Sequence, residues 1–144
     1  MLREAHQLLQ TYIAKKDFQG AITTIENYHQ LGITLNSTDY NIVLGEAVKY
    51  NYSGAVEKIL EYFNTRSIPY DSYTYTHVMR WKAHKLQYDE LKKLWLELKT
   101  ERHDLINANL ASFLLFLVRI RALDENVFTE VIEIIEKKGI KLTV

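Results

Sequence analysis

The 144-residue sequence contains no cysteine and carries no net charge, and each absence excludes a class of function. Without cysteine the chain has no disulfides, thiolate metal sites or cysteine nucleophiles, which is typical of an intracellular protein. Eighteen basic and eighteen acidic residues cancel. A nucleic-acid interface would therefore need cations gathered locally, because the protein as a whole provides no positive field.

Proline and long apolar runs are also scarce. The chain has a single proline, and its longest apolar-rich run, LASFLLFLV at residues 110–118, is too short to span a bilayer. We therefore expect no membrane span, and no signal-peptide pattern opens the sequence. The apolar fraction of 47% and the charged fraction of 25% are those of a folded soluble protein, and the length predicts one domain over residues 1–144.

Apolar residues recur at helical spacing throughout, while strand patterns are weak, so the predicted fold class is all-α. In one helix Phe18, Ala21, Ile22 and Ile25 form a single stripe, and Gly32 ends that helix. The eight predicted helices cover residues 2–15, 18–31, 38–50, 53–66, 73–86, 88–101, 107–121 and 124–138.

The helical pairs repeat along the chain. Ile33 matches Ile68 and Tyr40 matches Tyr75, each 35 residues apart, and Tyr75 falls on Leu110 at the same spacing. Four repeats follow, at about 2–36, 37–71, 72–106 and 107–143. Because one hairpin cannot bury its apolar stripe alone, the repeats predict a right-handed α-solenoid with a concave inner face.

Two repeat families have nearly this period. The tetratricopeptide repeat has a tryptophan and a Leu-Gly pair in its first helix, which the first helices here lack in those places. The segment KDFQGAITTIENYHQLGITLNSTDYNIVL, residues 16–44, instead resembles the pentatricopeptide repeat over its whole length. IPYDSYTYT at residues 68–76 supplies a second example, with the proline and aspartate of the family pattern, and Gly139-Ile140-Lys141 supplies a third fragment.

This resemblance implies binding of single-stranded RNA, with one base read per repeat. In the family, the residue after the first-helix tyrosine and the last residue of the repeat read the base, which here assigns Asn41 with Asp71, a pair associated with uracil. The second residue of each repeat packs against the base face. Thr38 and Tyr73 hold that place, and Tyr73 would be a stacking platform.

The other repeats depart from the family pattern. The first offers His6 with Asn36, an uncommon pair without a clear base. The third offers Thr76, but its last residue falls on Ile106, unless a two-residue slip brings in Asp104. The fourth offers Ala111 with Thr143, and the alanine in the first helix has no polar group to bond to a base.

Basic residues near the ends of the first helices recur roughly with the repeat and could follow an RNA backbone. Cations at helix C-termini also interact favourably with the helix dipole, so the recurrence of these basic residues has a purely structural explanation as well. The predicted phosphate contacts are Lys15, Lys16, Lys49, Lys85, Arg119 and Arg121.

No metal-binding histidine pair, phosphate loop or nucleophile motif is present, so we expect no cofactor, no metal and no enzymatic activity. The alternative to RNA binding is a helical-repeat scaffold for protein partners. The helix NANLASFLLFLVRIRAL in the fourth repeat is apolar on nearly every side, so either further sequence of a longer parent protein packs on it or it meets a protein partner. The chain begins almost at a repeat boundary, so we expect a fragment of a longer array, and the resemblance implies a mitochondrial parent protein.

Overall fold

The computed structural model describes residues 2–142, and this part of the chain is entirely helical, with no strand. All eight predicted helices are present, with ends within two residues of those expected, so the all-α prediction is confirmed. A short 3₁₀ turn at His103–Leu105 was not predicted. The helices are α1 (Leu2–Ala14), α2 (Phe18–Gln30), α3 (Ser37–Lys49), α4 (Ser53–Thr65), α5 (Ser72–His84), α6 (Tyr88–Glu101), α7 (Ala108–Arg119) and α8 (Glu125–Lys138).

The first helix of every hairpin ends on a residue in the left-handed conformation. These residues are Lys16, Asn51, Leu86 and Arg121, with φ of 59°, 57°, 59° and 65°, and they lie 35 residues apart. Each one closes the same pair of backbone hydrogen bonds, as in the bonds from Lys16 N to the Ile13 oxygen and from Asp17 N to the Tyr12 oxygen, both 2.9 Å. This is a Schellman motif, so the backbone repeats more regularly than the side chains do.

The second helices end in a similar way, with one exception. Gly32, Ser67 and Gly139 have φ of 73°, 53° and 65°. Helix α6 is instead followed by Arg102, with φ of −131°, and then by the 3₁₀ turn. This turn lengthens the connection, so that the starts of α5 and α7, Ser72 and Ala108, are 36 residues apart.

Three first helices begin on a capping side chain. The side-chain oxygen of Asn36 accepts a hydrogen bond from Asp39 N at 3.0 Å, and that of Asp71 accepts one from Thr74 N at 2.9 Å. The third such residue is Asn107, not Ile106, and it caps α7 through Leu110 N at 2.9 Å. Such caps stabilise a helix by about 1 kcal/mol each, because they satisfy backbone N–H groups that lack a partner within the helix.

The chain forms two compact units, which divide between Tyr70 and Asp71. In the N-terminal unit, α1 packs against α2 and α3, and α4 packs against α2 and α3. The core between them is mostly apolar, and burial of each large apolar side chain contributes about 1.5–3 kcal/mol. Its innermost residues are Leu9, Ile25, Leu44, Ile59 and Phe63.

In the C-terminal unit, α5 packs against α6 and α7, and α7 packs against α8. The ammonium group of Lys138, at the end of α8, donates to the carbonyl oxygens of His103 and Ile106, each at 2.9 Å, and so holds the 3₁₀ turn in place. The innermost residues of this core are Met79, Leu91, Trp95, Leu98 and Leu114. No helix within residues 2–142 is both long and apolar enough to cross a membrane.

Candidate nucleic-acid interface

Two of the three predicted phosphate contacts of the N-terminal unit lie over one aromatic ring. Lys49 is the last residue of α3, and Tyr50 is the C-cap that follows it. The Nζ atoms of Lys16 and Lys49 lie 4.4 Å and 5.5 Å from the centre of the Tyr50 ring. Lys15, directly after α1, is exposed. Within residues 2–142 none of these three lysines is in an ion pair with a carboxylate.

In the C-terminal unit the corresponding cations have different surroundings. Lys85 is the C-cap of α5, and its Nζ lies 4.6 Å from the centre of the Trp81 ring. Arg119 is the last residue of α7, and Arg121 is the left-handed residue beyond it. Both arginines line a groove of about 840 Å³, which also contains two carboxylates. The other lining residues are Val118, Leu123, Asp124, Glu125 and Phe128.

Two predicted base contacts of the first repeat, His6 and Asn36, are connected through Asp39. Asp39 Oδ1 lies 3.2 Å from His6 Nδ1, and Asp39 Oδ2 accepts a hydrogen bond from Asn36 N at 3.3 Å. Asp39 is only 1% exposed. Asp39 lies at the start of the helix predicted over residues 38–50, and its link to α1 was not predicted. Its position three residues after Asn36, a capping-box spacing, was the signal for the bond to Asn36.

The second repeat places its predicted residues at two depths. Thr38 is exposed on the first turn of α3. Asn41 is 7% exposed and directly follows Tyr40, which is fully buried. The hydroxyl oxygen of Tyr40 lies 2.7 Å from His29 Nε2. The Asn41 amide therefore lies close to the core, whereas Thr38 faces solvent.

In the C-terminal unit the side chain of Asp71 acts as the cap of α5 and accepts hydrogen bonds from both the backbone N and the hydroxyl group of Thr74, each at 2.9 Å. Tyr73 is 62% exposed, as a stacking platform requires. The half-buried Thr76 donates its hydroxyl proton to the Ser72 carbonyl at 2.9 Å. Each of these side chains lies on the first two turns of α5.

Two of the remaining predicted positions offer no polar side-chain group to a base. Ile106 is 1% exposed and Ala111 is fully buried, so both belong to the core. Asp104 is exposed in the 3₁₀ turn, with Oδ1 3.9 Å from Arg102 Nε. Thr143 lies outside the described residues. Asn107 holds the capping position that Asn36 and Asp71 hold, and the unpredicted 3₁₀ turn is the reason that it was missed.

Burial shifts the pKa of several titratable groups in these helices. Burial, with a smaller contribution from Arg66, lowers the pKa of His29. Burial and a hydrogen bond from its hydroxyl group to Glu26 Oε1, 2.9 Å long, raise the pKa of Tyr62. In the C-terminal unit burial, followed by the charge of Arg80, lowers the pKa of His77 to about 4. Both histidines are therefore neutral near pH 7.

Within residues 2–142 no group of three or more His, Cys, Asp or Glu side chains is arranged to hold a metal ion. A scan against protein-family models finds no match to the chain, and a search of curated proteins finds no significant match. The resemblance to pentatricopeptide repeats therefore depends on the residues and spacings described above.

Proposed function

We propose that the protein is a single-stranded RNA-binding module of pentatricopeptide type. The observation that carries the proposal is the position of its cations. Each of the four hairpins places a lysine or arginine between the last residue of its first helix and the left-handed residue that ends it, as in Lys16, Lys49, Lys85 and Arg119. A phosphate backbone that crosses the hairpins meets one cation or more per repeat.

The proposed fold is a right-handed α-solenoid of four repeats. Two features support it. The left-handed residues that end the first helices recur every 35 residues. Within the N-terminal unit, first helix packs on first helix, α1 on α3, and second on second, α2 on α4. This is how stacked hairpins pack in repeat proteins, where each repeat covers the apolar face of its neighbour.

The proposed base contacts are those that the resemblance implies. Tyr73 and Thr38 are exposed on the first turns of α5 and α3, where a base can pack against them. Asn41 and Asp71 are the proposed polar contacts for uracil, and Asn107 joins them because it shares the capping position of Asp71. The proposed setting is a mitochondrial protein that acts in RNA processing, RNA stability, translation or the ribosome.

The test is a titration of single-stranded oligouridine, followed by fluorescence anisotropy over a range of salt concentrations. Lys85→Gln should reduce the slope of log K against log salt by about 0.7, because one phosphate contact is lost. Lys93→Gln is the matched control, since Lys93 is exposed in the middle of α6. Equal slopes for the two variants would remove Lys85 from the interface, and an absence of binding at low salt would refute the proposal.

A second candidate function, a scaffold for protein partners, is favoured by the apolar surface of the fourth repeat. Phe116 on α7, Ile120 directly after it and Phe128 on α8 are 48%, 47% and 49% exposed. A photo-reactive amino acid at Phe116 would capture a protein partner in the native extract if this function is correct. The same probe at Leu96, which is 45% exposed on α6, is the control. Equal labelling at both positions would argue against a scaffold.

A further inference from the structure

We propose that Tyr50, Lys16 and Lys49 form a nucleotide subsite, in which the Tyr50 ring stacks on a base of single-stranded RNA and the two ammonium groups hold the adjoining phosphates. This inference rests on the proposed function and adds a contact that the repeat pattern does not assign. It lies at the C-terminal ends of α1 and α3, away from the N-terminal halves of these helices where the base contacts were expected.

The Tyr50 ring is both accessible and held in place. It is 43% exposed, and its centroid lies 6.5 Å from that of Phe18, at an interplanar angle of 47°. Phe18 is only 4% exposed and stacks on Tyr52, with centroids 5.0 Å apart. One buried ring therefore supports two exposed tyrosines from the adjoining turn. A supported ring loses little conformational freedom when a base stacks on it.

The two lysines come from different hairpins and meet at this ring. Lys16 is in the left-handed conformation that ends the first hairpin's α1, and Lys49 ends α3 in the next hairpin. Two ammonium groups that share one ring repel each other, and no carboxylate within residues 2–142 is in an ion pair with either. An anion placed between them would relieve this repulsion.

Phosphate is the anion that fits this arrangement. A charge-assisted hydrogen bond to a phosphate oxygen is stronger than an exposed cation–π contact, so the ammonium groups would turn from the ring to the phosphates. The face of Tyr50 is then free for a base, and stacking does not depend on the base identity. We therefore expect this subsite to strengthen binding to all single-stranded sequences without selecting among them.

The other cation–π pairs lack one of these properties. Trp81, under Lys85, is 5% exposed, so its ring faces the core and not a ligand. Lys82 on the same helix is already paired with Glu90, at 3.1 Å. Arg80 lies over Phe113, 5.0 Å from its centroid, as a single cation. The Tyr50 cluster combines an exposed ring with two cations.

The experiment measures the affinity of the chain for an oligouridine of about ten nucleotides at low salt. Tyr50→Leu should weaken binding about fivefold or more, since the stacked ring is lost, whereas Tyr50→Phe should stay within about twofold of wild type. Lys16→Gln and Lys49→Gln should each reduce the salt slope by about 0.7. Lys58→Gln, an exposed position on α4, is the control and should leave the slope unchanged.

Cross-linking of a 5-bromouridine oligonucleotide locates the contact without any substitution. The inference expects cross-links on the peptide that contains Tyr50. If wild type binds but Tyr50→Leu, with unchanged circular dichroism, binds equally well, the subsite is wrong and the RNA-binding function stands. If Tyr50→Leu does not fold, the lysine slopes and the cross-link decide the question. If wild type does not bind at all, the proposed function itself fails.

Discussion

Asn36 and Asp71 each do two things that a sequence pattern cannot separate. Both lie where the resemblance expects a base contact, and both cap the helix that follows them through N–H groups of Asp39 and Thr74. A capping requirement alone selects Asn, Asp, Ser or Thr at such a position. The residue type is therefore weak support for base reading. The exposed ring of Tyr73, which a helix start does not require, is stronger support.

The lowered pKa of His77 predicts a pH dependence of stability. Its pKa is about 4 in the folded chain against 6.5 for an unperturbed histidine, because burial disfavours the charged ring. Between these values the unfolded chain binds more protons than the folded chain. The free energy of unfolding is therefore highest above pH 6.5 and falls as the pH decreases toward 4. The expected loss is on the order of 2–3 kcal/mol.

Urea denaturation of wild type and His77→Asn at several pH values between 7 and 4 measures this effect. The variant should lose less stability than wild type across this window. Some dependence should remain, because burial lowers the pKa of His29 in the same direction. Parallel pH profiles for the two proteins would show that His77 is not buried as the structure describes.

At the scale of single elements, the ends of the helices carry the clearest repeat. Three of the residues that end first or second helices in the left-handed conformation have large or charged side chains, namely Lys16, Leu86 and Arg121. A non-glycine residue there costs about 1–2 kcal/mol because its Cβ crowds the following carbonyl. At these three positions the residue type gives no sign of a helix end, and only the 35-residue spacing could have located it, whereas glycine marks the end at Gly32.

This strain predicts that Leu86→Gly will raise the free energy of unfolding by about 1 kcal/mol. Leu86 is 71% exposed, so removal of its side chain loses few contacts. The opposite change, Gly32→Ala, should lower the free energy of unfolding by a similar amount, because Gly32 has φ of 73°, where a Cβ strains the backbone. A Cβ there would meet no atom within 4 Å, so no steric clash adds to this strain. Chemical denaturation measures both. A destabilised Leu86→Gly would contradict the assigned conformation.

The positions of the helices could be predicted from the sequence, but the extra turn between α6 and α7 and the tertiary contacts could not. Apolar spacing is local, so stripes such as Phe18, Ala21 and Ile25 were sufficient to locate α2. The 3₁₀ turn between α6 and α7 depends on Lys138, which bonds to carbonyls more than 30 residues earlier, and a 35-residue period does not reveal it. The contact between His6 and Asp39 is likewise tertiary, and so is the meeting of two lysines at Tyr50.

At the scale of the whole molecule, a net charge of zero limits how RNA can bind. Long-range attraction is weak, so affinity must come from cations placed at short range, such as Lys16 and Lys49, and from stacking on exposed rings. Within residues 2–142 neither of these lysines is in an ion pair with a carboxylate, whereas other lysines are, as in Lys82 with Glu90 and Lys99 with Glu130. We therefore expect RNA binding of moderate affinity that is sensitive to salt and does not select among bases at Tyr50.

The salt dependence of binding to single-stranded oligouridine tests the central claim most directly. Wild type should bind at low salt, and a variant with all six predicted phosphate contacts, Lys15, Lys16, Lys49, Lys85, Arg119 and Arg121, changed to glutamine should have a salt slope smaller by up to about 4. A wild-type protein that does not bind oligouridine at low salt, or a six-residue variant with an unchanged slope, would contradict the account.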